Sequence, residues 1–167
     1  GRRMGRPKAL VDDWLPATVA TLLDGGCAEV IVVLGAGADE AQERVPPRPD
    51  VRSVVAIDWE SGLSASLRCG LAVAEQSTHT AAVVMLVDLP DVTPPVIARL
   101  ADGADAASAR RAAYDGRPGH PVLLGRSHWL AVCEQVAGDA GAGSYLVAVG
   151  ATSIDCSDLA TGRDVDR

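Results

Sequence analysis

The amino-acid sequence predicts an α/β protein, a three-layer α/β/α sandwich around a Rossmann-like, mainly parallel sheet. Short aliphatic runs alternate with helical stretches along the chain, which is the order of elements in such folds. Several runs are apolar at every position, as expected of strands that are covered on both faces. With 167 residues, 48% of them hydrophobic, the chain suits one core, and we expect a single domain over residues 1–167.

Glycine and proline set the limits of the elements in the first half. Periodic apolar residues predict a helix at 15–23, which ends at Gly25-Gly26, and another at 38–45, which ends at Pro46-Pro47. Thr93 precedes two prolines and is expected to cap a helix. The other elements predicted in this half are strands at 29–34, 51–57 and 81–87 and helices at 62–76 and 94–100.

The second half has a weaker pattern. Residues 105–113 and 121–124 are predicted as strands that flank a loop at 114–120. The remaining elements are helices at 127–136 and 144–149 and a late strand at 151–156. Ligands of such sheets bind beyond the carboxyl ends of the strands, so the polar residues that follow each strand are the candidates for a site.

Charge and cysteine content exclude several classes of function. A net charge of −7 argues against a general nucleic-acid-binding protein, which needs a basic face for phosphates. Cys27, Cys69, Cys133 and Cys156 lack the spacing of a zinc site, and most of them fall in apolar stretches as small core residues. No apolar run approaches the roughly 20 residues that cross a bilayer. We therefore expect a reduced, cytoplasmic protein without a membrane partner.

Lys8 is the only lysine of the chain, and it closes a segment that contains Arg2, Arg3 and Arg6. An ammonium on a flexible stem can lie among phosphate oxygens beside a metal, whereas arginine binds flat oxyanions as a fork. A glycine-containing, arginine-rich segment that ends in one lysine is typical of a triphosphate-binding loop. The alternative is a lone surface lysine. Because a phosphate-binding loop normally follows a strand, we expect a buried strand ahead of Gly1 in the intact protein.

Asp88 follows the apolar run 81–87 directly and is the strongest single candidate for a site residue. A carboxylate at the carboxyl end of a central strand, facing an anionic ligand, makes chemical sense when a divalent cation lies between them. The alternative is an aspartate that only caps the turn before Pro90. Asp91 is nearer to the next helix, and we expect it to be structural.

Two loops are further candidates for ligand contact. The loop at 59–68 carries glycine and serine at a helix amino end, where free N–H groups can bind an anion or a base edge. Its alternative is a plain helix cap by Ser61 or Ser64. His120 stands between a glycine and a proline, which suits rigid presentation to a ligand, although a lone loop histidine can also be merely solvated.

Two other patterns carry less weight. Asp164 and Asp166 alternate, so only one of them can face a given site, and a solvated acidic tail is the alternative. Gly35 and Gly37 follow a strand as in dinucleotide-binding loops, but Glu40 stands at the third glycine position and would repel a pyrophosphate. No Gly-x-Ser-x-Gly elbow of a serine hydrolase occurs.

In order, these segments resemble the MobA-like nucleotidyltransferases, most closely the molybdenum cofactor cytidylyltransferases. That family opens with a strand and a loop of the form Ala-Ala-Gly-x-x-x-Arg-Met-Gly-x-x-Lys, whose second half matches Arg3-Met4-Gly5 and Lys8. The later matches are the segments 59–70, 88–90, 116–121 and 164–166. The resemblance covers nearly the whole chain and implies the α/β/α fold of the nucleotidyltransferase type.

The resemblance also implies a catalytic and metal-binding set. Arg3 and Lys8 would act on the phosphates of a nucleoside triphosphate. Asp88 would be a ligand of Mg²⁺, with one of the terminal pair, preferably Asp166, as the second ligand. The residues implied in nucleotide binding are Arg3, Gly5, Lys8, Gly62 and Ser66, and those implied on the acceptor side are Gly119, His120 and Pro121.

The implied reaction is an in-line nucleotidyl transfer. A phosphate-bearing acceptor attacks the α-phosphorus of the triphosphate and pyrophosphate leaves, without a side-chain nucleophile, because positioning and electrostatics carry such transfers. CTP and molybdopterin are the preferred pair, with a molybdoenzyme or its chaperone as a further partner. Two alternatives stay open: a non-catalytic nucleotide- or molybdopterin-binding accessory protein, and a related transferase that uses GTP or another small phosphorylated acceptor.

Overall fold

The structure is a computed structural model that describes residues 7–11 and 13–164. Six α-helices and six strands lie within these ranges, together with short 3₁₀ helices at Lys8–Leu10 and Trp59–Ser61. The strands are β1 (Val30–Leu34), β2 (Val51–Val55), β3 (Ala81–Val84), β4 (Ala109–Tyr114), β5 (Arg117–Gly125) and β6 (Thr152–Asp155). The helices are α1 (Trp14–Asp24), α2 (Ala38–Gln42), α3 (Leu63–Ala74), α4 (Pro94–Ala101), α5 (Arg126–Gln135) and α6 (Gly143–Ala148).

The described strands form two sheets. β1 and β2 are parallel, with Val30 beside Val51 and Leu34 beside Val55. The larger sheet has the order β3-β5-β4-β6, in which β5 runs antiparallel to both of its neighbours and β4 runs parallel to β6. Parallel pairs therefore occur in both sheets, and the hairpin of β4 and β5 adds antiparallel pairs.

Helices cover the strands on two sides, which confirms the predicted α/β class. One core cluster joins α1 and α4 to β1 and β4, through buried residues such as Val19 and Ile97. The other cluster joins α3, α5 and α6 to β5, with Trp129 at its centre. The indole of Trp129 donates a hydrogen bond to the carbonyl of Leu124 at 2.8 Å, so its polar atom is satisfied inside the core. Each large side chain that is fully buried contributes about 1.5–3 kcal/mol of hydrophobic stabilisation.

The predicted loop at 114–120 is wrong, because most of it belongs to a β-hairpin. Only Asp115 and Gly116 form the turn, with φ of 50° and 75°, which is the backbone that a tight two-residue hairpin requires. β5 begins at Arg117, directly after this turn, and carries Pro118 and Pro121. The sequence pattern predicts a loop here because prolines and glycine are uncommon within strands.

β3 is shorter than the sequence predicts, and its partner explains why. Val84 lies opposite Val122, so the antiparallel register would place Met85 opposite Pro121. Proline has no N–H to donate to the ladder, and the pairing stops there. Residues 85–87 then leave the sheet and lead to Asp88.

An apolar cavity of about 580 Å³ lies between the two sheets. All residues of β1 and β3 line it, and the two strands are not hydrogen-bonded to each other. Within the described residues β1 pairs only with β2, and β3 only with β5, so each has one edge without a strand partner. None of the described helices is long and apolar enough to cross a membrane.

Candidate functional site

The candidate site is centred on an ion pair between Lys8 and Asp88. Lys8 begins a 3₁₀ helix that Leu10 anchors in the core. Asp88 lies beyond β3 and is only 5% exposed. The ammonium of Lys8 donates a hydrogen bond to Oδ2 of Asp88, although the two residues are 80 positions apart. A carboxylate this buried needs a cation, because burial without one is costly.

His120, near the amino end of β5, lines the apolar cavity together with Ala9 and Val87, the chain neighbours of Lys8 and Asp88. Burial lowers the pKa of the imidazole, and the smaller, opposing effect comes from the carboxylate of Asp88. The imidazole is therefore neutral at physiological pH and can accept a hydrogen bond or a proton. Pro121, which follows, is fully buried and fixes the position of the strand.

Tyr114 holds the backbone of His120 in place. Its hydroxyl donates a hydrogen bond to the carbonyl of His120 at 2.9 Å. The backbone of Gly119 packs closely against the ring of Tyr114, since a Cβ at Gly119 would be 3.2 Å from Cδ2 and Cε2 of that ring. Burial raises the pKa of Tyr114, so the phenol stays protonated and donates. The sequence analysis did not single out Tyr114, although a tyrosine six residues before His120 was a usable signal.

The loop before α3 forms the other side of the site. Gly62 has a φ of 111° and precedes the first residue of the helix. The predicted serine caps are wrong: the hydroxyl of Ser61 donates to the carbonyl of Asp58, and the hydroxyl of Ser64 is buried without a partner in the described structure. Ser64 instead donates its backbone N–H to the carbonyl of Gly138 at 3.0 Å.

Ser66 connects this loop to the rest of the site. It lines the cavity of about 580 Å³, which His120 also lines. It also lines a second cavity of about 220 Å³, together with Gly62, Trp59 and Glu60. The structure thus brings Gly62 and Ser66 to one cavity wall, and Ser66 and His120 to another.

Three of the predicted site residues, Arg3, Gly5 and Asp166, lie outside the described residues. Asp164 is the last described residue and is exposed. Asp91, expected to be structural, binds the segment that follows β6: its Oδ2 accepts hydrogen bonds from the backbone N–H and the hydroxyl of Thr161.

The donor set at Asp88 fits a divalent cation that is shared with phosphates. Residues 7–11 and 13–164 contain no cluster of three or more histidine, cysteine, aspartate or glutamate side chains that could hold a metal ion. Mg²⁺ commonly uses one or two carboxylates, with water and substrate phosphates supplying the other oxygens. A single buried carboxylate beside a lysine matches that pattern better than it matches a metal cage made by the protein alone.

Comparison with known proteins agrees with the fold and the motifs. Residues 1–152 match the MobA-like NTP transferase domain. The chain is 37% identical over 180 residues to nicotine blue oxidoreductase of Paenarthrobacter nicotinovorans, with 99% of this chain and 87% of that protein covered.

Two solved structures are similar over most of the chain. Rv0371c of Mycobacterium tuberculosis H37Rv in complex with manganese is 26% identical, with a TM-score of 0.72 over 98% of this chain and 88% of that one. The nucleotidyl transferase Mth528 of Methanothermobacter thermautotroptrophicus is 25% identical, with a TM-score of 0.73 over 86% and 70% of the two chains. The domain match, the curated relative and the shared fold lead to one conclusion: the chain belongs to the MobA-like NTP transferase family.

Proposed function

We propose that the protein transfers a nucleoside monophosphate from a nucleoside triphosphate to a small phosphorylated acceptor and releases pyrophosphate. The observation that carries the proposal is the ion pair of Lys8 and Asp88 beside a neutral His120. A triphosphate entering this place meets a cation for its phosphates, a carboxylate for its metal and an imidazole for the acceptor. CTP is the proposed donor and molybdopterin the proposed acceptor, as the resemblance implies.

In this proposal each residue has a separate task. Lys8 and Arg3 bind the triphosphate and stabilise the charge that builds on pyrophosphate as it leaves. Asp88 and Asp166 would hold Mg²⁺, which when bound neutralises phosphate charge and polarises the α-phosphorus. Because Lys8 is paired with Asp88 in the structure, phosphate has to draw the ammonium away, and this releases the carboxylate for the metal at the same time.

The remaining residues bind the two substrates. His120 is proposed to accept a hydrogen bond from the acceptor, with Gly119 and Pro121 fixing its backbone. Gly5, Gly62 and Ser66 are proposed to line the nucleotide. A cytoplasmic location and an interaction with a molybdoenzyme or its chaperone follow from the same proposal, since the acceptor would be a cofactor precursor.

A direct assay tests the reaction. The protein is incubated with molybdopterin, one of CTP, GTP, ATP or UTP, and either Mg²⁺ or Mn²⁺, and pyrophosphate is measured. We expect release with CTP only when the acceptor and the metal are both present. Release with GTP instead of CTP would support the nucleotidyl transfer but assign GTP as the donor. Tight binding of CTP and molybdopterin without release would favour the non-catalytic accessory protein.

Replacing Lys8 by alanine should weaken CTP binding. The loss of one charged hydrogen bond corresponds to about 1.5–3 kcal/mol, or roughly ten- to hundredfold in the dissociation constant. Isothermal titration calorimetry in the presence of Mg²⁺ measures it. Arg48→Ala is the matched control, because Arg48 is also a cation bonded to an aspartate, Asp50, but on the exposed surface. Equal affinity of the Lys8→Ala variant and the unaltered protein would refute the assignment.

An oxidoreductase is the second candidate function, and the relative from P. nicotinovorans favours it. Two observations on this chain weigh against a redox site. Burial raises the pKa of all four cysteine thiols, none of which forms a disulfide. The short helix after Gly37 carries Asp39 and Glu40 in its first turn, which disfavours a dinucleotide pyrophosphate there. Reduction of nicotine blue by NADH or NADPH, followed by its colour, tests this candidate directly.

We also propose that an extended apolar strand of the intact protein, ahead of Gly1, fills the gap between β1 and β3. The gap is apolar, and both flanking strands have an edge without a described partner. Such a strand would give the loop that ends at Lys8 a rigid base. Amide hydrogen exchange of the intact protein is the measurement: strong protection of both Ile31–Val33 and Ala82–Val84 is expected. Exchange at the rate of open sheet edges would contradict the proposal.

A further inference from the structure

The segment 159–164 is fastened to the domain by contacts that the proposed transfer does not use. Leu159 and Ala160 pack against the core. Oδ2 of Asp91 accepts a hydrogen bond from the N–H of Thr161 at 2.7 Å and a second one from its hydroxyl. Oδ1 of Asp91 is buried without a partner within the described structure. Thr161 is therefore the partner that satisfies one oxygen of this half-buried carboxylate.

The next residue of the segment lies against the ring that holds His120. Gly162 has a φ of 63°, and a Cβ built on it would be 2.1 Å from Cε2 of Tyr114. A Cβ on Gly119 would lie 3.2 Å from the same atom. Gly162 and the amino end of β5 thus contact one edge of one aromatic ring, whose hydroxyl donates a hydrogen bond to the carbonyl of His120.

These contacts form a continuous path from Asp91 through Thr161, Gly162 and Tyr114 to His120. We propose that Asp91 and Tyr114 are positioning residues that lock segment 159–164 to the amino end of β5, residues 117–121. Neither residue is assigned contact with a substrate. Loosening the segment frees the Tyr114 ring on one side, and the ring then no longer fixes the carbonyl of His120.

The consequence for catalysis rests on the proposed nucleotidyl transfer. Segment 159–164 ends two residues before Asp166, the proposed second metal ligand, and His120 is the proposed acceptor contact. A lock between them keeps the metal side and the acceptor side of the reaction in one arrangement.

The test is hydrogen exchange of two segments in the Gly162→Ala variant. The added methyl group meets the Tyr114 ring, so we expect amide exchange to accelerate about tenfold or more in 159–164 and also in 117–121, where Arg117, Gly119 and His120 carry an N–H. That factor corresponds to the loss of one hydrogen bond to a charged group. The ring resonances of His120 should shift as well. Gly150→Ala is the matched control, because Gly150 has a similar φ of 67° but nothing within 4 Å of an added Cβ. It should leave both segments as they are.

Thr161→Val supplies a second, milder route, since it removes the hydroxyl that bonds to Asp91 and keeps the shape of the side chain. Faster exchange in 159–164 with unchanged exchange in 117–121 would overturn the proposal. Unchanged exchange in both segments of both variants would also overturn the proposal, because the contacts of Asp91 and Tyr114 would then not stabilise either segment.

Kinetics separate this inference from the proposed function. With transfer established, both variants should lower kcat while the KM for CTP stays the same. If the unaltered protein released no pyrophosphate, the proposed function would fail, and the exchange experiment would still decide whether the lock exists.

Discussion

Replacing Asp88 by asparagine should abolish metal-dependent pyrophosphate release while the fold survives. Asparagine has nearly the same size and still offers an oxygen to Lys8, but it lacks the negative charge that a hard divalent cation requires. We expect a loss of activity of at least about a hundredfold, or ~2.7 kcal/mol in transition-state free energy. The melting temperature should fall by only a few degrees, because the hydrogen bond between the two side chains can persist.

The same variant should bind CTP in the absence of metal as well as the unaltered protein does, or better. Asp88 competes with phosphate for the ammonium of Lys8, and the amide of the Asp88→Asn variant competes less because a neutral oxygen attracts a cation weakly. Calorimetry in EDTA measures this affinity, and pyrophosphate release over a Mg²⁺ titration measures the activity.

Asp50→Asn is the control for the Asp88 experiment. Asp50 also accepts hydrogen bonds from a cation, Arg48, at 2.8 and 2.9 Å, but its side chain is 31% exposed and it lies before β2, at the amino end of the strand. It should retain full activity. If Asp88 only capped a turn, asparagine would serve almost as well, since both are good turn residues. Near-normal turnover of the Asp88→Asn variant would therefore end the metal-ligand assignment.

The part of the fold that the sequence predicts is the part that local chemistry controls. Helix α1 ends at Asp24 because Gly25-Gly26 follows, and β1 is recognised as a strand by an apolar run that stops at Gly35. Lys8 and Asp88 were singled out for the same reason, because each is unusual in its own segment of the sequence. Their direct ion pair was not predicted, since it joins residues 80 positions apart.

What the sequence did not predict depends on contacts between distant segments. The start of β5 at Arg117 was hidden by Pro118 and Pro121, which are tolerated because the register with β3 ends at Val122. Tyr114 holds the backbone of His120 because the hairpin places its hydroxyl on the carbonyl of His120 and because Gly162 lies against its ring. Periodicity within one segment holds no information about such approaches, so neither the hairpin nor the lock at Asp91 could be derived from it.

Replacing Gly62 by alanine should give the largest loss of stability among single substitutions at the site. Its φ of 111° with a ψ of −175° is a backbone conformation that essentially only glycine adopts. A Cβ there would also lie 2.4 Å from the carbonyl carbon of Gly138, and backbone cannot move aside as a flexible side chain can. Strain and overpacking together should cost about 2–4 kcal/mol in the free energy of unfolding.

Gly138→Ala is the matched control, because it lies on the other side of the same contact. Gly138 has a φ of 59°, and an added Cβ there meets nothing within 4 Å, so only backbone strain of about 1 kcal/mol is expected. Urea unfolding gives both free energies. The Gly62 variant should also bind CTP more weakly, because moving residues 138–139 displaces the carbonyl that accepts from the N–H of Ser64 at the start of α3. Equal losses in the two variants would show that the close approach of the two loops contributes nothing, and that Gly62 is needed for its backbone conformation alone.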